Sequence, residues 1–150
     1  MNQETNSIWT NLYDKYLGKE ISGLPTKAIN LFYFIDMTYY VLNGGASGFL
    51  YNKSPTNTNE NLYKPYMKSL EYFNYKATAQ LLNEYNNKFH KAINRWKLSK
   101  NDPFDFYFDQ ELPPKFCSIL NSQIDEIVAN EESIHKWIKK NRNELNQILE

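Results

Sequence analysis

Asp36 is the single charged side chain in the most apolar run of the chain, Ala28 to Leu42. A carboxylate taken out of water without donors is costly, so this one must find donors or reach solvent. Tyr40 and Asn43 follow at four and seven residues and share its helix face. Asn43-Gly44-Gly45 then breaks the run, with Phe49 and Asn52 just beyond. Adjacent glycines reach backbone conformations closed to other residues and allow close packing. Two readings fit. In the structural one, Asp36 accepts hydrogen bonds from the amides of the glycine turn or from Tyr40. In the functional one, Asp36, Tyr40, Asn43 and Asn52 line a polar pocket for a small ligand or an uncharacterised reaction. The structural reading is favoured, because perturbed carboxylates also arise in purely structural networks.

Other chemistry-bearing residues are sparse. Asp102, Asp105 and Asp109 stand three and four apart, with Glu111 beyond. Hard cations use such carboxylates, but the glycine and closing glutamate of an EF-hand loop are missing. A solvated acidic edge beside the aromatic stretch Phe104–Phe108 fits better. His90 and His135 lie far apart with no His or Cys nearby, so no metal site is expected. Cys117, between Phe116 and the inward Leu120, reads as a buried inert thiol. Gly44-Gly45-x-x-Gly48 lacks the Lys-Ser/Thr ending and the preceding strand of a phosphate loop. Lys64, Lys68, Lys76, Lys88, Lys91, Arg95, Lys97 and Lys100, interleaved with Tyr72, Tyr75 and Tyr85, could sketch a nucleic-acid surface. The tyrosines have core spacing, so a wet helix face is the stronger reading. No catalytic residue and no cofactor are expected.

The elements that must position these groups are helical. Ile8, Trp9, Leu12, Tyr16 and Leu17 recur at helical spacing, and Gly18 suits a helix end. Pro25 is placed to open a second helix running to about Leu42, apolar nearly all round and therefore central. Residues 52–61 are turn formers and read as a surface loop. A third helix starts near Pro65, and the clearest period follows over 77–96. Pro113-Pro114 opens another helix, with Ile119 and Leu120 among its inward residues, and a last one begins at Asn130 or Ser133. No strand series and no linker is evident. The expected architecture is one all-α domain over residues 1–150, with about six helices.

Composition bounds the partners. The chain has 150 residues, 12 tyrosines, 9 phenylalanines and a formal net charge of zero. Zero charge argues against direct nucleic-acid binding or an anionic membrane as the partner. The neutral total hides asymmetry: residues 61–100 hold eight basic and two acidic side chains, and residues 102–132 hold eight acidic ones and one lysine. The polar N-terminus has no secretion signal, and the longest apolar run is too short and polar to span a bilayer, so a cytoplasmic protein is expected. Twenty asparagines, and fifteen lysines against two arginines, carry no functional weight.

Asn43-Gly44-Gly45-Ala46-Ser47-Gly48-Phe49-Leu50-Tyr51-Asn52 resembles the signature of a bacterial family of unknown function that includes a DNA-mimic protein of the DMP type. Ser69-Leu70-Glu71-Tyr72-Phe73-Asn74 resembles its next helix, with Asn74 in place of a glycine. Asparagine tolerates a left-handed turn, so that exchange is physically sensible. The acidic-aromatic stretch from Phe106 to Val128 extends the resemblance, which covers about residues 8–140. Where the family often carries glutamates before Asn-Gly-Gly, this chain has Thr38 and Tyr40. The resemblance implies a non-catalytic module that binds another protein, in its sharpest form a DNA-binding protein. The mimic is strongly acidic. Here only Asp102, Asp105, Asp109, Glu111, Asp125, Glu126, Glu131 and Glu132 could supply such an acidic face.

Overall fold

The computed structural model describes residues 3–53, 63–98 and 112–150. Six helices and no strand form among them: α1 (Gln3–Tyr16), α2 (Thr26–Asn52), α3 (Lys64–Tyr72), α4 (Lys76–Leu98), α5 (Leu112–Ala129) and α6 (Glu131–Leu149). The fold is all-α. The Phe104–Phe108 stretch and most of the 52–61 segment lie outside the described residues. No helix among those described is long and apolar enough to cross a membrane.

α2 is the central element because its Ala28–Val41 stretch is apolar nearly all round and mostly buried. Leu31, Phe34, Ile35, Met37, Phe49 and Leu50 are all at most 2% exposed. It packs on α3 and α5, and less extensively on α1; α1 packs on α6, and α4 on α3 and α5. Proline at position 25 has ψ 143° and precedes the first helical turn, as its fixed φ favours. Ser69 Oγ donates to the Asn30 carbonyl at 2.6 Å, tying α3 to α2 inside the core. Lys15 Nζ donates to the Ile148 and Leu149 carbonyls at 3.1 and 2.8 Å, placing a cation at the negative end of α6.

The abundant tyrosines are explained by their dual character. Tyr63 is fully buried, yet its hydroxyl donates to the Leu50 carbonyl at 2.8 Å. Tyr16 likewise donates to the Ile148 carbonyl at 3.0 Å. Each ring fills core volume and each hydroxyl satisfies a backbone oxygen that helix ends leave free. Tyr85 is fully buried and Tyr75 stacks on Phe34, so these two rings face inward rather than alternate with the lysines of α4.

The two expected turns form differently. Asn74 does adopt a left-handed conformation, φ 68°. The second helix, expected to end near Leu42, runs on to Asn52 with one break at Gly45. Three glycines within five residues weaken the helical signal of this segment, and its packing supplies what propensity lacks.

Candidate functional site

Gly45 has φ 67° and ψ 178°, a region open essentially to glycine alone. Its neighbour Gly44 does not have positive φ and has open space around it. The break frees the Ala46 N–H from the helix ladder, and Asn121 Oδ1 on α5 accepts it at 2.8 Å. Asn121 thus acts as an N-cap supplied by another helix. Replacing Asn121 with alanine should cost about 1 kcal/mol, whereas Asn121→Asp, which keeps the acceptor, should cost less. Urea unfolding of the two variants checks the order.

The break also reverses the chain. A straight helix would carry residue 53 about 25 Å along the axis from residue 36. Instead Lys53 Nζ lies 3.1 Å from Asp36 Oδ2. Asp36 is 2% exposed. Tyr66 of α3 donates to Oδ2 at 2.6 Å, and Tyr13 of α1 donates to Oδ1 at 3.2 Å. The Lys53 ammonium sits 4.4 Å from the Tyr40 ring centroid and 5.6 Å from that of Tyr66, where the ring faces attract a cation. One carboxylate therefore gathers donors from α1, from α3 and from the end of its own helix.

This corrects the expected partners of Asp36. Among the described residues its side-chain donors are Tyr13, Tyr66 and Lys53, not Tyr40 or the amides of the glycine turn. Tyr40 acts through its ring, on Lys53. Asn43 and Asn52 are exposed and turn their amides to the carbonyls of Tyr39 and Gly48, one helical turn earlier. Phe49 belongs to the core, fully buried with its ring 5.0 Å from that of Tyr66. The motif residues therefore divide. Tyr40, Asn43, Gly44 and Asn52 line a groove of about 290 Å³ together with Tyr13, Tyr39 and Gly48. Asp36 lines a second groove of about 340 Å³ with Tyr33, Asn52, Lys53 and Tyr66. Asn52 stands where the two meet. Tyr13, Lys53, Tyr66 and Asn121 were not legible as site residues, because only the tertiary fold brings them to Asp36 and the turn.

Burial, then the Asp36 charge and hydrogen bond, push the Tyr13 hydroxyl up to about 12. Burial and the Asp36 hydrogen bond raise Tyr66 much further, and burial with the Asp36 charge also raises Tyr33. The unfolded chain releases these protons near pH 10, before the folded one does. Folding stability should therefore be complete below pH 10 and fall as pH rises through 10 to 12. Tyr13→Phe should make that alkaline loss shallower, measured by urea unfolding at stepped pH; an unchanged slope would contradict the linkage.

Among the acidic residues, Asp102, Asp105, Asp109 and Glu111 lie outside the described residues. Asp125 and Glu126 are exposed near the end of α5, and Glu131 and Glu132 are exposed in the first turn of α6. Asn130 alone separates the two helices, so these four lie within eight residues of chain at the α5–α6 connection. Glu132 pairs with Lys136 at 2.8 Å, which holds its carboxyl below the usual range, and His135 Nε2 lies 4.0 Å from Glu131. Cys117 is buried. No group of three His, Cys, Asp or Glu side chains suited to a metal occurs among the described residues.

Residues 22–141 match the family described as DMP19-like protein. The chain belongs to that family. The matched span holds Asp36, the Gly45 break, Lys53, Tyr66 and the four acidic residues at the α5–α6 connection, and begins after α1. Neither the curated proteins nor the solved structures hold a match to this DMP19-like chain.

Proposed function

We propose that this DMP19-like protein is a non-catalytic, cytoplasmic binding module that engages another protein, of the DNA-binding or regulatory class, through its acidic segment. The observation that carries the reading is the family match over residues 22–141, taken with the DNA mimic among the family's members. Asp125, Glu126, Glu131 and Glu132 support it by being exposed, close together in the chain at the α5–α6 connection. A surface that replaces DNA must present carboxylates where a duplex presents phosphates. Its partner must offer a basic surface, and the attraction must weaken as salt shortens the screening length below about 8 Å.

The test is capture from native cytoplasm read by mass spectrometry, with wild type beside a variant carrying Asp125→Lys, Glu126→Lys, Glu131→Gln and Glu132→Gln. The lysines fall near the end of α5, where the helix dipole favours cations, so the fold should tolerate them. A DNA-binding or regulatory protein should be retained by the wild type and released by high salt. The variant should retain less than about a tenth as much, equivalent to a loss of at least ~1.4 kcal/mol, with nearly the same melting temperature. Equal capture by the variant would end the acidic-face reading.

A further inference from the structure

We propose that the cleft around Asp36 is a binding site for a primary organic ammonium ion, and that Lys53 is its displaceable internal occupant. The inference is independent of the acidic segment and stands on the geometry of the cleft. Asp36 presents Oδ2 to an ammonium at 3.1 Å, with the Tyr40 and Tyr66 rings 4.4 and 5.6 Å from the same nitrogen. A carboxylate flanked by aromatic faces is the chemistry that recognises organic ammonium ions. Tyr66 and Tyr13 hold the carboxylate in place by donating to both its oxygens.

Space and tethering distinguish this arrangement from an ordinary interior ion pair. Asp36 is buried, but it forms part of the wall of an open groove of about 340 Å³, and a second groove of about 290 Å³ begins at Asn52. Both have room for the carbon chain of an amine. The groove beside Asp36 is walled in part by Phe32, Tyr33 and Ile21, apolar surface suited to such a chain. The Lys53 side chain is 24% exposed and stands at the end of α2, so it can turn to solvent once another ammonium takes its place beside Asp36. A buried ion pair adds little stability over apolar residues of the same shape. Fold stability alone therefore gives weak reason for a carboxylate here.

The experiment titrates Lys53→Ala protein with n-butylammonium chloride, against sodium chloride at equal ionic strength. Thermal shift and the NMR signals of the tyrosine rings are both read. Saturable stabilisation is expected, with shifts at Tyr40 and Tyr66. Binding to the wild type should be about tenfold weaker, because tethered Lys53 competes at high effective concentration. Adding Asp36→Asn to Lys53→Ala should remove the response. An equal response in that double variant, or none in folded Lys53→Ala, overturns the proposal. If Lys53→Ala does not fold, the wild-type ring signals decide: saturable shifts with butylammonium and none with sodium butyrate support the site, and any other pattern overturns it. Nα-acetyl-lysine amide carries the same head on a peptide unit. Tighter binding than butylammonium assigns the occupant to a protein lysine, and weaker binding to a free amine.

Discussion

Lys53→Met should lower the unfolding free energy by about 2–3 kcal/mol, although the lysine is partly exposed and lies at a helix end. The substitution keeps the bulk of the side chain and removes its charge. Among the described residues it leaves Asp36, 2% exposed, with the Tyr13 and Tyr66 hydroxyls as side-chain donors. Removing one partner of a fully buried pair costs about 3–5 kcal/mol. The estimate here is smaller because both tyrosine hydrogen bonds survive and water can approach along the groove. Asp36→Asn in the same background should recover part of the loss, since a neutral amide still accepts from Tyr66 and no longer strands a charge. The double variant should thus be more stable than Lys53→Met alone. Urea unfolding of the four proteins of the cycle measures the coupling directly. A Lys53→Met protein within ~0.5 kcal/mol of wild type would mean that Asp36 is sustained by the tyrosines and water.

The same residues show where sequence reading succeeds and where it stops. α4 was legible because its apolar residues form one stripe, with Leu82, Tyr85 and Phe89 buried between exposed Asn83, Glu84, Asn87 and Lys88, although Ala77, expected inward, is exposed. The burial of Asp36 and the glycine requirement at the Gly44-Gly45 pair were legible from composition and local sterics. The donors to Asp36 were not. Tyr13 is 23 residues away and Tyr66 is 30, and both arrive on other helices. Helical spacing places Tyr40 and Asn43 on the Asp36 face but says nothing about what packs against that face. Lys53 was hidden for another reason: its approach depends on a reversal at Gly45 whose direction no local rule supplies. The acidic segment was half legible. Its four described residues are two pairs separated by residues 127–130 at the junction of two helices, so their nearness along the chain follows from connectivity, whereas the Glu132–Lys136 pair follows from helical i,i+4 spacing.

Gly45→Val should cost about 3 kcal/mol or more, while Gly44→Ala should be neutral or stabilise by about 0.5–1 kcal/mol. The contrast separates two causes that the sequence leaves joined, crowding and backbone conformation. A β-carbon on Gly45 would meet its nearest neighbour, Asn121 Oδ1, at 3.8 Å, an ordinary contact, and one on Gly44 would meet nothing within 4 Å. Crowding is therefore not what requires glycine here. The backbone is. At φ 67° and ψ 178° any side chain is strained by about 1–3 kcal/mol, and a β-branched one falls at the upper end. The chain cannot relieve that strain cheaply. Returning residue 45 to helical angles would straighten α2 and carry Lys53 away from Asp36. It would also unmake the Ala46–Asn121 hydrogen bond and withdraw Phe49 and Leu50, both fully buried, from the core. Gly44 lies in the helical part without positive φ, so alanine there reduces the freedom of the unfolded chain and strains nothing. Melting temperatures and urea midpoints of the two single variants decide between the causes. Equal destabilisation by both would restore crowding as the explanation. An unchanged Gly45→Val protein would show that the reversal, and with it the Asp36–Lys53 contact, does not depend on glycine.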